Sequence, residues 1–374
     1  YAYGDYPWKV AKRFGNILPK SVIDNDYDSI SSNDYGSGPF ALEEYETNNT
    51  YTFSAYEDHH LTDEDGNRLP YVDELTVQVE PDPISRVNGL TDSRTDVLNS
   101  VSASSYEKIK SSDGTTAKSS SGGLFAPIVT PLTLEPFDQL KVRQAMKYAV
   151  DRQQMLAGAV SGRGELGADH PVAPINNFHV DLDNKFGDTA DQEMAEQLLA
   201  DAGYSDGLEL PTLIYSTGGG PQMEPMATLL QQQLKNVGIE FEIQNMPWDQ
   251  FLSEVWNTED NFYISRWGMR LLPASFFQLT CTTDASWNEM KWSNEEFDQA
   301  VQNALQTTDE EKKTEHYRTA ERLLRNKGGW IIPFFSNRLG GQGSYVHDFN
   351  LEPTGLRFPL RNCWLDSDAP EGPN

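Results

Sequence analysis

From about residue 124 onward the sequence alternates between predicted strands and predicted helices, and this alternation restricts the possible folds more than any other feature. Apolar residues at helical spacing occur in 142–150, 190–202 and 222–237. Short apolar runs lie between or after them, including "LPTLIYST" and "IEFEI". Strands that alternate with helices are typical of βαβ units, which build largely parallel sheets. We therefore predict an α/β domain over residues 124–335.

The limits of several elements can also be predicted. Asp138 can cap a helix that keeps one apolar face as far as Leu156. Gly203 and Gly238 each stand where a helix would end. Two further helices are predicted around 295–305 and 309–325, a helix over "PWDQFLSEVWN", and strands over "NFYISRW" and "WIIPFF".

Residues 1–123 have a different pattern, with period-two runs such as "NTYTFSAYE" and "VDELTVQVEP". This part is predicted to be strand-rich. The segment Ser111–Gly123 is small and polar throughout, so we predict a surface loop or a boundary between lobes. Residues 336–374 return to turns and short extended pieces.

The charge of the chain excludes one class of partner. Lys and Arg number 29 against 57 Asp and Glu, which gives a formal net charge of −28. A nucleic-acid partner would need a basic patch, so none is expected. Acidic residues spread along the whole chain suit a surface that stays hydrated in high salt, and we expect a salt-adapted source organism.

Motifs for enzymatic chemistry are missing from the sequence. The glycine-rich "GSGPF" and "STGGGP" lack the Lys-Ser/Thr of a phosphate loop, and neither G-x-S-x-G nor H-E-x-x-H occurs. We therefore expect no catalytic residue, no metal site and no cofactor. Cys281 and Cys363 are either a disulfide or two isolated thiols. The chain contains no run of 18 apolar residues and does not begin with a signal peptide.

Seven motifs in a fixed order resemble one protein family. The segment Glu135–Leu156, "EPFDQLKVRQAMKYAVDRQQML", closely resembles the "PF-D-VRQA-YA-DR" signature of the family 5 extracellular solute-binding proteins, which serve peptide- and nickel-type ABC importers. The similarity extends over nearly the whole chain. The other motifs are "GSGPF", "LPYVDELTVQVEPDPISRVNGL" with "DSRTDVL", "AEQLLADAGYSDG", "LLQQQLKNVGIEFEI", "WNEMKWSNEEFDQAVQNAL" and "GGWIIPFF".

The resemblance implies an α/β, periplasmic-binding-protein-like flytrap with two lobes and mixed sheets. Lobe I would comprise residues 1–123, lobe II 124–335, and residues 336–374 would return to lobe I. Members of the family usually have over a hundred residues before the "GSGPF" turn, so lobe I is expected to be truncated at its N-terminus. The implied protein is an extracellular, cell-surface monomer whose membrane anchor lies outside this sequence. It would bind a peptide or another small solute and deliver it to an ABC permease.

The predicted ligand site is centred on "RWGMRLLPASFF", Arg266–Phe277. Trp267 would end a strand and offer an apolar wall, while Gly268 lets the main chain approach a ligand. Arg270 stands where the peptide-binding relatives have an acidic segment, so we expect a ligand with an anionic group or many hydroxyls. Arg266 is expected to be an internal ion-pair partner. Trp287, one of several tryptophans at strand ends or in loops, is also predicted to contact the ligand.

Asp169 and His170 complete the predicted site. They lie in the glycine-rich segment Ser161–Pro174, which follows the signature helix and resembles a segment that faces the space between the lobes in the family. The alternative is a simple connector with a surface histidine.

Two other functions are compatible with a secreted α/β protein. One is a hydrolase of extracellular polymers, although no nucleophile motif supports it. The other is a sensor subunit that reports ligand occupancy to a membrane receptor, which would use the same binding chemistry.

Overall fold

The computed structural model describes residues 19–25, 36–353 and 360–370 of the 374-residue chain. These residues form two compact units. The central unit comprises residues 121–337, and the flanking unit comprises the described residues before 121 and after 337. The strands Thr115–Phe125 and Phe334–Gly343 carry the chain from one unit to the other. That the two units act as the lobes of a flytrap stays a prediction.

The flanking unit contains the strands that period-two alternation predicts. Its elements before residue 115 are α1 (Lys20–Asn25), β1 (Phe40–Glu46), β2 (Thr50–Ala55), β3 (Glu74–Gln78), α2 (Pro83–Thr91), β4 (Val97–Leu98) and α3 (Ala103–Ser111). Strands β1, β2 and β3 pair antiparallel in chain order. In β3 the side chains alternate between exposed and half-buried positions, as expected for a sheet with one covered face.

The central unit is built around one five-stranded sheet. The strands from residue 115 onward are β5 (Thr115–Phe125), β6 (Ile128–Val129), β7 (Gly164–Leu166), β8 (Leu208–Glu209), β9 (Leu213–Tyr215), β10 (Ile239–Glu240), β11 (Ile243–Asn245), β12 (Phe262–Ile264), β13 (Trp267–Gly268), β14 (Trp330–Ile331), β15 (Phe334–Gly343), and, in the flanking unit, β16 (Val346–His347) and β17 (Trp364–Leu365). The sheet has the order β11-β9-β12-β6-β14.

Pairing in this sheet is only partly parallel. Strands β11, β9 and β12 run parallel, whereas β6 pairs antiparallel with both β12 and β14. The prediction of a largely parallel sheet is therefore correct for three strands and wrong for two. A crossover helix imposes parallel pairing only on the strands that it joins, and β6 and β14 lie outside the βαβ part of the chain.

Helices cover both faces of the sheet. They are α4 (Leu140–Ala149), α5 (Arg152–Val160), α6 (Gln192–Asp201), α7 (Met223–Lys235), α8 (Trp248–Glu254), α9 (Pro273–Thr280), α10 (Glu295–Gln306) and α11 (Glu310–Lys327). Ile128 and Ile331 enter a core with α4 to α7, while their neighbours Val129 and Trp330 enter a second core with α8 to α11. This alternation follows from the pleat of the strands, which sends successive side chains to opposite faces.

Several predicted limits are wrong. The helix predicted from Asp138 to Leu156 is two helices, because α4 begins at Leu140 and Asp151 caps the next helix, α5, by accepting a hydrogen bond from Gln154 N at 2.7 Å. The predicted strands "NFYISRW" and "WIIPFF" each divide into two strands that belong to different ladders. In the second case Pro333 lies between the two strands, and it has no N–H group with which to continue the hydrogen bonds of a strand.

The segment Ser111–Gly123, predicted as a surface loop or a boundary between lobes, is for the most part a strand rather than a loop. Thr115–Phe125 forms β5, and its last residues, Leu124 and Phe125, pair with β13. Small polar side chains give no apolar period, so main-chain pairing with neighbouring strands decides the structure of this segment. Cys281 and Cys363 are both free, buried thiols.

The signature helix α4 binds the C-terminal end of the longest helix, α11. The last carbonyls of a helix have no N–H partner within it and form the negative end of its dipole. Side chains of α4 satisfy four consecutive carbonyls there: Lys147 Nζ donates to Arg325 O at 2.7 Å and Gly328 O at 3.1 Å, Gln144 Nε2 to Asn326 O at 3.1 Å, and Arg143 Nη2 to Lys327 O at 2.8 Å.

Arg152, at the start of α5, continues this polar network inside the central unit. Its Nη2 donates to Asp169 Oδ2 at 2.7 Å, and both side chains have no exposed surface. The other carboxylate oxygen of Asp169 accepts a hydrogen bond from Ile332 N at 2.9 Å. One carboxylate thus joins the signature segment to the chain between β14 and β15.

We expect Asp169→Ala to lower the free energy of unfolding by about 3–5 kcal/mol, because it leaves the buried Arg152 guanidinium without its counter-charge. Asp201→Ala is the matched control, since it breaks the exposed ion pair with Lys141 at 3.2 Å, and its effect should be far smaller. Urea denaturation of both variants measures the difference. Equal, small losses for the two variants would show that the buried pair is not a structural tie.

Candidate functional site

The segment Ser265–Arg270 leaves the central sheet and forms a second short ladder. Trp267 and Gly268 pair antiparallel with Phe125 and Leu124 of β5. The sequence pattern predicts one strand from 261 to 267, whereas the chain changes its pairing partner after Ile264. The change of partner places Trp267 at the start of β13 rather than at the end of a long strand.

Three tryptophans pack against one another beside this ladder. Ring centroids are 6.3 Å apart for Trp256 and Trp267, 5.7 Å for Trp256 and Trp287, and 5.8 Å for Trp267 and Trp287. Trp267 is buried and also contacts Phe276 edge-on at 5.3 Å, while Trp256 and Trp287 remain partly exposed. We call Trp256, Trp267 and Trp287 the tryptophan cluster. Such rings combine a large apolar surface with few rotatable bonds.

A buried carboxylate, Glu289, holds two of these rings. Glu289 Oε1 accepts hydrogen bonds from Trp256 Nε1 and Ser265 Oγ, each at 2.5 Å, and Oε2 accepts one from Trp267 Nε1 at 3.0 Å. Burial raises the pKa of Glu289 to about 7, while the hydroxyl and indole donors act in the opposite direction. Sequence reasoning missed Glu289, because nothing in its neighbourhood distinguishes it among 57 acidic residues.

Arg270 and Gly268 lie close to the cluster along the chain and are both half-buried. The carbonyl of Arg270 accepts a hydrogen bond from Asn176 Nδ2 at 2.8 Å. Arg266 is different, because it lies between β12 and β13 with an exposed side chain. The prediction that Arg266 is an internal ion-pair partner is therefore wrong.

Asp169 and His170 are both in the interior of the central unit. Asp169 is bound to Arg152, as described above. His170 Nδ1 lies 3.4 Å from Glu321 Oε2, and its ring stacks on His179 with centroids 5.8 Å apart. Burial lowers the pKa of His170 to about 3, so this imidazole is neutral at pH 7. Their role as ligand contacts stays a prediction, and these internal contacts do not favour it.

Within residues 19–25, 36–353 and 360–370, no group of three or more His, Cys, Asp or Glu side chains is placed to hold a metal ion. No helix in the same part of the chain is both long and apolar enough to cross a membrane. A groove of about 750 Å³ occurs on the central unit along α7, β8 and β10, and none of the predicted site residues lines it.

Residues 5–289 match the family model described as "Bacterial extracellular solute-binding proteins, family 5 Middle". The chain belongs to this family. The match spans well over half of the chain, and it confirms the family that the seven ordered motifs predict.

Two curated relatives indicate the range of ligands within the family. Heme-binding protein A of Haemophilus influenzae is 26% identical over 81% of this chain and 55% of its own length. Di/tripeptide-binding protein 1 of Pseudomonas aeruginosa is 26% identical over 87% of this chain and 60% of its own length. The chain thus spans less than two thirds of the length of either relative.

A solved structure shows the fold. The dipeptide-binding protein from Pseudoalteromonas sp. SM9913, in complex with Met-Leu, superimposes with a TM-score of 0.80 at 21% identity, over 98% of this chain and 72% of that one. The α/β, periplasmic-binding-protein-like fold with mixed sheets is therefore confirmed.

The close contact of β5 with β13 depends on a glycine at 123. Met269 N donates to Gly123 O at 2.8 Å, and an added Cβ at Gly123 would lie 2.3 Å from Met269 Cβ. No side chain can occupy that space unless one of the two strands moves. Such a movement would displace Trp267, two residues before Met269.

We expect Gly123→Ala to lower the free energy of unfolding by about 1–3 kcal/mol, the usual cost of overpacking. It should also change the near-ultraviolet circular dichroism of the tryptophans. Gly38→Ala is the control, because an added Cβ at Gly38 meets nothing within 4 Å. A Gly123→Ala protein with the stability and spectrum of the Gly38→Ala protein would contradict this account of β13.

Proposed function

We propose that this chain captures a small solute outside the cell and delivers it to an ABC importer, with the tryptophan cluster and the residues after it as ligand contacts. Membership of the solute-binding family supports the capture of a ligand. The observation that supports the choice of site is the cluster itself, in which three large rings pack against one another and two of them keep exposed surface.

The ligand class follows from the chemistry of the segment after Trp267. A guanidinium offers five donors in a planar fork that fits a carboxylate or a phosphate. Among the relatives, one is named for heme and one for di- and tripeptides, and both classes of ligand carry carboxylates. We propose a ligand with an anionic group bound by Arg270 and an apolar or aromatic part placed against Trp267 and Trp287, with Gly268 allowing close approach.

The remaining assignments also belong to the proposal. The protein acts outside the cell as a monomer, passes its ligand to an ABC permease, and carries out no reaction on it. A sensor subunit would share the same binding site, and the permease or the receptor recovered with the ligand-loaded protein distinguishes the two functions.

Thermal-shift measurements with dipeptides, tripeptides and hemin test the proposal. A ligand present at about 100 times its dissociation constant should add about 2.7 kcal/mol to the stability. Mass spectrometry of the recovered ligand should show it unchanged. If no member of the panel stabilises the chain, the proposed function fails for these ligand classes. A ligand recovered in hydrolysed form would favour the hydrolase instead.

We expect Arg270→Ala to weaken binding of an anionic ligand by about 2–5 kcal/mol, since the variant leaves the anion desolvated without its partner. Arg266→Ala is the matched control, because Arg266 is exposed four residues earlier, and it should leave the affinity unchanged. Isothermal titration with both variants measures the difference. Equal affinities for the two variants would remove Arg270 from the site.

A further inference from the structure

Glu289 has an unusual environment for a buried carboxylate. It has no exposed surface, and the described ion pairs do not include it. The side chains that donate hydrogen bonds to its oxygens are instead neutral, the indole N–H groups of Trp256 and Trp267 and the hydroxyl of Ser265, and the indole of Trp330 also acts to lower its pKa. An indole nitrogen can only donate, so each oxygen of Glu289 must act as an acceptor.

The donors come from separate parts of the chain. Trp256 follows α8, Ser265 follows β12, Trp267 begins β13, and Glu289 lies between α9 and α10. One carboxylate therefore sets the direction of two indole N–H bonds on different segments. The N–H bond of an indole lies in the plane of its ring. A hydrogen bond that sets the direction of this bond, together with packing against the neighbouring ring, therefore fixes the plane of the ring. The planes of Trp256 and Trp267 are held at 51° to each other.

A purely structural role explains this arrangement poorly. Burying a carboxylate is costly, and a set of apolar side chains in place of both Glu289 and its donors would fill the same space at a lower cost. What an apolar residue would not do is orient two indole rings. The presence of a carboxylate at position 289 is thus better explained by the geometry of the rings than by the stability of the core.

We infer that Glu289 is a positioning residue, which orients Trp256 and Trp267 and thereby determines which ligands the tryptophan cluster accepts. The inference rests on the proposed function of the cluster. Glu289 does not touch the ligand. It acts through the two rings, so its replacement alters affinity and selectivity without removing any ligand contact.

Glu289→Gln provides the sharpest test, since it keeps the shape and replaces one acceptor oxygen with an NH₂ group that faces a donor. The substitution leaves a buried indole donor unsatisfied and so disturbs the position of its ring. We expect it to weaken binding of the best ligand of the peptide and hemin panel by at least about 10-fold. The near-ultraviolet dichroism of the tryptophans should change as well. Glu321→Gln is the control, because Glu321 is equally buried and has His170, not an indole, as its neighbour. It should leave both affinity and spectrum unchanged.

A double-mutant cycle separates positioning from general destabilisation. Trp267→Phe keeps an aromatic ring but removes the N–H that faces Glu289 Oε2. In that background Glu289→Gln should weaken binding by less than about 3-fold, because the clash between donors is gone. The same loss in both backgrounds would overturn the inference, and so would wild-type affinity of Glu289→Gln itself.

Two remaining outcomes are also decisive. If Glu289→Gln does not fold, Trp256→Phe and Trp267→Phe test the same contacts, and wild-type affinity in both would overturn the inference. If the unmodified chain binds no member of the panel, the proposed function fails. In that case the near-ultraviolet dichroism of Glu289→Gln, compared with that of Glu321→Gln, still tests whether Glu289 orients the rings. Identical tryptophan spectra for the two variants would overturn the inference.

Discussion

The end of helix α11 depends on side chains supplied from elsewhere in the chain. Arg143, Gln144 and Lys147 of the signature helix donate to four carbonyls at the C-terminus of α11, and the two hydrogen bonds of Lys147 are buried. Without these donors the carbonyls would be unsatisfied inside the protein, which is costly. Arg152 and Asp169 extend the network to the chain after β14. The segment that identifies the family is thus the part that holds the two sides of the central unit together.

The tryptophan cluster depends on the same kind of interaction, in which buried oxygen atoms accept hydrogen bonds from distant parts of the chain. At α11 the acceptors are main-chain carbonyls, whereas at Glu289 one buried carboxylate accepts hydrogen bonds from donors on two segments. In both places a polar group in the interior has partners that fix its surroundings in one arrangement. The first arrangement supports the sheet, and the second orients the surface that we propose meets the ligand.

Much of the fold could be predicted because it depends on local periodicity. The helices near 295–305 and 309–325 follow from apolar spacing and are confirmed. Predictions failed where pairing with a distant strand determines the local structure. Strand β5 is an example, because Thr115–Phe125 has no apolar period. At the site, Trp267 and Trp287 could be selected from the sequence as large aromatic residues and do lie together, while their contact with a ligand stays a prediction. Glu289 could not be predicted, since its burial and its indole partners both depend on the tertiary structure.

The central claim is that the tryptophan cluster of the central unit meets the ligand, and the indole resonances test it most directly. Trp292 provides an internal reference, because it is buried and its Nε1 donates to Cys281 O at 2.6 Å. In a titration followed by ¹⁵N or ¹⁹F nuclear magnetic resonance, we predict saturable shifts with one common midpoint for Trp256, Trp267 and Trp287, while Trp292 stays unchanged. A ligand that binds and leaves the three cluster resonances in place would contradict the account.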